Sequence, residues 1–208
     1  VRNRVALVDT TGQRPPRIVD LDALAPNADS TCAQPTSVAF RRDGTRAFVT
    51  GYGTDRIAVL DVANGPVTQV TWAGYIEVAA TTNNPPTAGP RDALVNDAGT
   101  ALYIHHRIDN AVVRIDLTAL PTTANFAYTA PPATSLGFDP TARQIKRGRS
   151  HANNARFSAS QTSSCDSCHV DAHTDGLVWD LSDYADPEGT PNPMLGFGLD
   201  VKGPLVTQ

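Results

Sequence analysis

The residues with the sharpest chemical meaning in this chain are Cys165-Asp166-Ser167-Cys168-His169. Two residues between the thiols let both sulfurs reach the two vinyl groups of a haem and form thioethers. The histidine that follows is then carried beneath the ring, where an imidazole nitrogen meets the iron. One covalently attached haem c is therefore the expected cofactor, with Cys165 and Cys168 as its tethers and His169 as the proximal iron ligand. Ser163 and Ser164 are expected to cap the short helix that bears the motif. The second ring nitrogen of His169 is expected to donate to a backbone carbonyl, which fixes the ring and tunes the metal. Two other chemistries use the same residue types. A redox dithiol needs a βαβ setting that the flanking pattern does not supply. A structural zinc ion on Cys165, Cys168 and His173 lacks a second ligand pair elsewhere and leaves His169 without a role.

Other residues bear on such a site. Met194, the sole methionine, lies 25 residues after His169 in a Pro- and Gly-rich stretch able to wrap over the opposite haem face, which makes it the candidate distal ligand; a gap-filling side chain packed on the porphyrin is the equal alternative. His151 is a weaker distal candidate, with a plain surface position as its alternative. His173 projects on the proximal side, one helical turn beyond His169. Arg147, Arg149 and Arg156 offer donor forks for haem propionates, although solvated arginines are the commoner case. Trp179 is expected against the haem edge or in the core of a small domain. Cys32, an odd thiol, is expected to be buried and inert. His105 and His106 are expected in a surface role, and Asp9, Asp61 and Asp116 recur at one repeat position as turn formers.

That last recurrence exposes the elements behind the motif. Residues 35–62 align without gaps on residues 90–117, at a constant offset of 55. Each copy runs through a short apolar strand, a turn at Gly44 or Gly99, a second strand, a polar turn and a third alternating strand that ends in Asp, which is a β-meander. Asn3-Arg4-Val5-Ala6-Leu7-Val8-Asp9 matches Asp55-Arg56-Ile57-Ala58-Val59-Leu60-Asp61, so the sequence opens on the closing strand of a repeat. Val49-Thr50-Gly51-Tyr52-Gly53 followed by Asp55 to Asp61 resembles the YVTN-type β-propeller repeat, over roughly residues 1–120. Propellers use four to eight blades, and the remaining ones are expected upstream of Val1. The expected fold is mostly β, a partial β-propeller of about two and a half meander blades over residues 1–137, followed by a small α-helical, loop-rich cytochrome c domain over residues 138–208.

Between about residues 120 and 140 the texture turns to Pro, Thr and Ala, the mark of a linker, with Leu136-Gly137-Phe138 as a last candidate strand. Asp139-Pro140 opens a helical stretch to about Phe157. Beyond His173 the sequence reads as loop with one or two short helical turns. Arg147-Gly148-Arg149, Ala155-Arg156-Phe157-Ser158, the haem motif with Asp175-Gly176 and Trp179-Asp180-Leu181, and Lys202-Gly203-Pro204 together resemble the cytochrome c domain that follows YVTN propellers in some exported bacterial proteins. That domain is similar to the di-haem cytochrome c peroxidase and MauG group. The resemblance implies a periplasmic or otherwise exported bacterial protein and, in many relatives, a second haem motif, here expected beyond Gln208. Where relatives carry Leu-Phe after the Arg-Gly-Arg stretch this chain has His151-Ala152, and where they place Met near Lys-Gly-Pro it has Val201 and Leu205. Met194, His151 or an open position remain for the sixth ligand.

Composition narrows the partners. A net charge of −4 over 208 residues, with no dense Lys or Arg run, offers no field for a phosphate backbone, and no stretch reaches the roughly 18 apolar residues of a membrane helix. The expected partner is a redox protein docking on the propeller or the haem edge, alone or as part of a larger complex. Electron transfer is the leading expectation. The alternatives are a di-haem peroxidase-like enzyme and a propeller that serves as the binding or scaffolding subunit of a redox assembly.

Overall fold

The computed structural model describes residues 2–63, 68–78, 87–169 and 173. The chain divides into two compact units, Val1–Ser167 and Cys168–Gln208. The described part of the second unit is Cys168, His169 and His173, so the architecture below is that of the first.

The first unit is mostly β and propeller-like. Strand β1 (Arg4–Leu7) pairs antiparallel with β2 (Arg17–Asp20), and a single helical turn, α1 (Leu21–Leu24), follows. Asp20 caps α1, its carboxylate accepting from the Ala23 N–H at 3.2 Å. The first full meander comprises β3 (Pro35–Phe40), β4 (Arg46–Gly51), β5 (Arg56–Ala63) and β6 (Gln69–Glu77), and the second comprises β7 (Pro90–Val95), β8 (Ala101–His106) and β9 (Ala111–Asp116). The repeat read from sequence is reproduced to the residue, since β7, β8 and β9 each begin 55 positions after β3, β4 and β5. Strand β1 stands where β5 and β9 stand in their blades. Among the described residues no sheet closes on itself.

Period-two alternation explains how the blades stack. On the middle blade Ala47, Val49, Ala58 and Leu60 face Val19 and Leu21 of the first blade in one core. Phe48, Ile57, Val59 and Ile76 join Leu102, Ile104, Val113 and Ile115 of the third blade in the other. Buried on both faces, β4 and β5 read as near-continuous apolar runs, whereas Leu94 and Tyr103 remain exposed on the outer face of the third blade. A recurrent side-chain latch joins the blades. Asn3 Oδ1 accepts from the Gln34 N–H at 2.8 Å, and Asp55 Oδ1 accepts from the Ala88 and Gly89 N–H groups at 3.0 and 2.9 Å. Gln34 and Gly89 hold the same place in the repeat.

The stretch expected to be a linker is partly sheet. Strand β10 (Phe126–Thr129) adds parallel to β6 on the outer edge of the middle blade, and β11 (Thr134–Ser135) pairs with β9. Leu136-Gly137-Phe138, expected as the last strand, follows β11 without being part of it. The reason is the edge: β6 would otherwise present an unpaired row of N–H and C=O groups, and Phe126, 5% exposed, gains burial by covering it. Among the described residues no helix is long and apolar enough to cross a membrane.

Candidate functional site

Helix α2 (Arg143–Asn153) forms where the sequence places it, followed by a 3-10 turn at Ala155–Phe157. Asp139 accepts from the Thr141 N–H at 2.9 Å and pairs with Lys146 at 2.9 Å, which ties the entry to the second turn of the helix. The Lys146 ammonium and the Thr141 donors hold the Asp139 carboxyl down at about 2. At the exit, Asn154 Oδ1 accepts from the Arg156 N–H at 2.9 Å and caps the 3-10 turn.

This helical stretch is docked on the blades and belongs to the first unit. Ser150 and Thr87 share a buried hydroxyl contact of 2.6 Å, and the Ala155 N–H donates to the Gly53 carbonyl at 2.7 Å. Gly53 permits that approach, because a Cβ there would stand 2.8 Å from Gln34 Oε1 and 3.0 Å from the Asn153 carbonyl oxygen. Arg156, a candidate for haem propionates, donates through Nε to the Thr54 carbonyl at 2.7 Å and through Nη2 to Glu77 at 3.0 Å. Arg147 and Arg149 are exposed.

The approach to the cysteine motif is held by side chains of the first two blades. Thr31 Oγ1 donates to the Gln161 carbonyl at 3.0 Å, Arg56 Nη1 to Gln161 Oε1 at 3.2 Å, and Gln161 Nε2 to Asp29 at 2.8 Å. Asn3 Nδ2 donates to the Thr162 carbonyl at 2.9 Å, and Gln34 Nε2 to Ser164 Oγ at 3.0 Å. The Ser164 hydroxyl, expected as a helix cap, is thus engaged by Gln34. The capping runs the other way, with the Ser164 N–H donating to Ser167 Oγ at 3.0 Å, and the turn at Cys165–Ser167 is 3-10.

Cys165 is exposed and Cys168 half-buried, and neither is in a disulfide. His169 is half-buried and His173 exposed. Two thiols free of disulfide, one of them open at the surface, followed at once by an imidazole, are a donor set that fits a covalently tethered haem. His151 is exposed and stacks on Phe157 at 5.7 Å between ring centroids. Trp179 and Met194 lie outside the described residues.

Beside the turn sits Tyr52, a nearly buried residue that sequence reasoning passed over. Burial pushes its phenol up, Arg107, Arg91 and Arg149 oppose that, and Asp166 of the cysteine motif adds to it. The Arg91 guanidinium lies 5.8 Å from the Tyr52 ring centroid. The signal was a break in the repeat, since His106-Arg107-Ile108 stands where the other copy has Gly51-Tyr52-Gly53. The same break explains a correction. His105 is half-exposed and 3.5 Å from Asp92, but His106, expected in a surface role, is fully buried with neither ring nitrogen hydrogen-bonded. Neighbours on a strand point to opposite faces, so the pair does not converge on one ligand. Cys32 is buried as expected. Asp9 and Asp116 form the expected turns, each accepting from a Thr two residues on, whereas Asp61 pairs with Arg46 at 2.8 Å.

No protein-family model matches the chain, and no curated protein matches it. Among solved structures it is similar to hydrazine synthase of Kuenenia stuttgartiensis, at 16% identity and a TM-score of 0.40 over 66% of this chain and 31% of that one. It is also similar to a periplasmic gluconolactonase of Pseudomonas aeruginosa, at 16% identity and 0.41 over 68% and 37%. Virginiamycin B lyase of Staphylococcus aureus is a third, at 16% identity and 0.35 over 60% and 38%. The chain spans about a third of the length of these proteins, and at such identities and scores the likeness bears on no residue of the candidate site.

Proposed function

We propose that this chain is part of an exported bacterial c-type cytochrome, a propeller-like scaffold carrying one covalent haem c and passing electrons to and from a partner protein. The observation that supports the reading best is the Cys165-Asp166-Ser167-Cys168-His169 motif, whose first thiol is exposed on a tight turn buttressed by the blades. When bound, the haem supplies a one-electron iron couple. Cys165 and Cys168 tether it, and His169 holds the iron through an imidazole nitrogen. Arg149, with Arg91 and Arg107 around Tyr52, provides positive charge beside the turn, suited to propionates or to an acidic partner surface. Met194 is the candidate distal ligand and His151 the second. The cytochrome-like region spans about residues 138–208, and its helical start docks on the blades.

The test is a pyridine haemochrome assay with intact-mass analysis. One haem per chain is expected, lost when Cys165 and Cys168 are both replaced by Ala; thiols found unmodified in protein made with the attachment machinery would refute the reading. The reduced spectrum then separates the modes. A six-coordinate low-spin iron accords with electron transfer, and Met194→Ala should convert it to high spin. An open or displaceable position in the wild type would instead favour the di-haem peroxidase-like alternative.

A further inference from the structure

Gln34 is in the left-handed region, with φ at +54°, and its counterpart in the other repeat is Gly89 at +65°. That backbone conformation carries no penalty for glycine and is strained for a residue with a Cβ. The backbone task is the same at both positions, since each N–H is received by the latch residue of the preceding blade, Asn3 for Gln34 and Asp55 for Gly89. Glycine performs it in one blade, so the Gln34 side chain is not there for the latch. Nor does that side chain improve the packing energy, because its Oε1 is buried with no hydrogen-bond partner, a state that disfavours the fold. Strain of this kind persists where the residue serves something other than stability.

What the side chain holds is Ser164, 130 residues away and immediately before Cys165, through Nε2 at 3.0 Å. The tie survives exchange of the amide oxygen and nitrogen, because a serine hydroxyl both donates and accepts. Ser164 is in turn the pivot of the cysteine turn: its N–H donates to Ser167 Oγ at 3.0 Å and its carbonyl accepts from the Ser167 N–H at 3.1 Å. Asn3 completes the arrangement, since the side chain that receives the Gln34 N–H also donates to the Thr162 carbonyl and is itself clamped by Asp22 at 3.0 Å.

We infer that Gln34 is a positioning residue for haem attachment, a strained side chain at the junction of the first two blades that fixes Ser164 and so orients the turn carrying Cys165. The part concerning haem rests on the function proposed above. The test is Gln34→Gly in the full, haem-loaded chain, which keeps the backbone latch, removes the strain and deletes the tie. The melting temperature should hold or rise, amide exchange at residues 164–167 should quicken about tenfold, the effect of one lost hydrogen bond, and the haem midpoint potential should shift. Ser164→Ala should quicken exchange by the same factor, and the double variant should add nothing to either single one. Additive effects, unchanged exchange, or a fall in melting temperature with faster exchange throughout the blades would each overturn the proposal, as would a wild-type potential in haem-loaded Gln34→Gly. Absence of haem from the wild-type chain would sink the functional reading by itself, and the exchange measurements would still judge whether Gln34 holds the turn.

Discussion

Cysteine has two opposite fates in this chain, and local environment decides between them. Cys32 is fully buried, its sulfur 3.4 Å from the Val49 carbonyl oxygen, and burial pushes its thiol up to about 12. Cys165 sits exposed on the 3-10 turn before the second unit. Since the thiolate is the reacting species, Cys32 should resist iodoacetamide in the native chain at pH 8 and label only on unfolding. In haem-free protein Cys165 should label at once, which peptide mapping after timed quenching would show. Rapid native labelling of Cys32 would contradict its placement in the core between the first two blades.

At the scale of elements, the surprise is that α2 and the 3-10 turn after it lie against blade tips instead of opening a separate body. Their docking uses backbone and small side chains, namely the Ala155 N–H to the Gly53 carbonyl, and Ser150 to Thr87. Gly53→Ala would drive a methyl group toward Gln34 Oε1 and the Asn153 carbonyl oxygen, costing about 1–3 kcal/mol. The blades do not depend on that contact, because their two apolar cores lie between strands. The expected result is a chain that retains its β circular dichroism but is cut by protease between residues 139 and 164 far faster than wild type. A cooperative loss of the whole fold would show instead that the helix is integral to the blades.

At the scale of the whole molecule, Asp55 and His106, both buried, have opposing effects on stability. Burial raises the Asp55 carboxyl from 3.8 to about 6, partly offset by the Gly89 and Ala88 N–H groups it accepts from. Its contribution is therefore full below about pH 4 and is lost as pH rises through about 6, by on the order of 3 kcal/mol. Burial, with a smaller push from His105, lowers His106 from 6.5 to about 4, so its contribution is full above about pH 6.5 and is lost as pH falls through about 4. Between pH 4 and 6 the two slopes run in opposite directions, and denaturant midpoints of the wild type should be nearly level. Asp55→Asn keeps the acceptor for the latch, removes one slope, and should yield a stability that climbs steadily across that window and exceeds wild type at pH 7. A flat profile for Asp55→Asn would mean that His106 is not buried neutral.

The repeat and its three strands were legible because alternation and turn residues are local properties, and a constant offset multiplies the signal. The cysteine motif stands out in the sequence because its five residues are adjacent, and the chemistry proposed for it rests on that spacing. Residues 120–140 were misread as linker, since what makes β10 a strand is the open edge of β6, which lies about 50 positions earlier in sequence. His106 was misread because burial depends on what packs above a strand. Gln34 carried no motif and Tyr52 counted only as part of the repeat, and their link to the site appears only because folding brings them to Ser164 and to the arginines around the turn. Local pattern is encoded residue by residue, whereas proximity between distant residues exists only once the chain has closed its loops, and the surroundings of the candidate site are of that second kind.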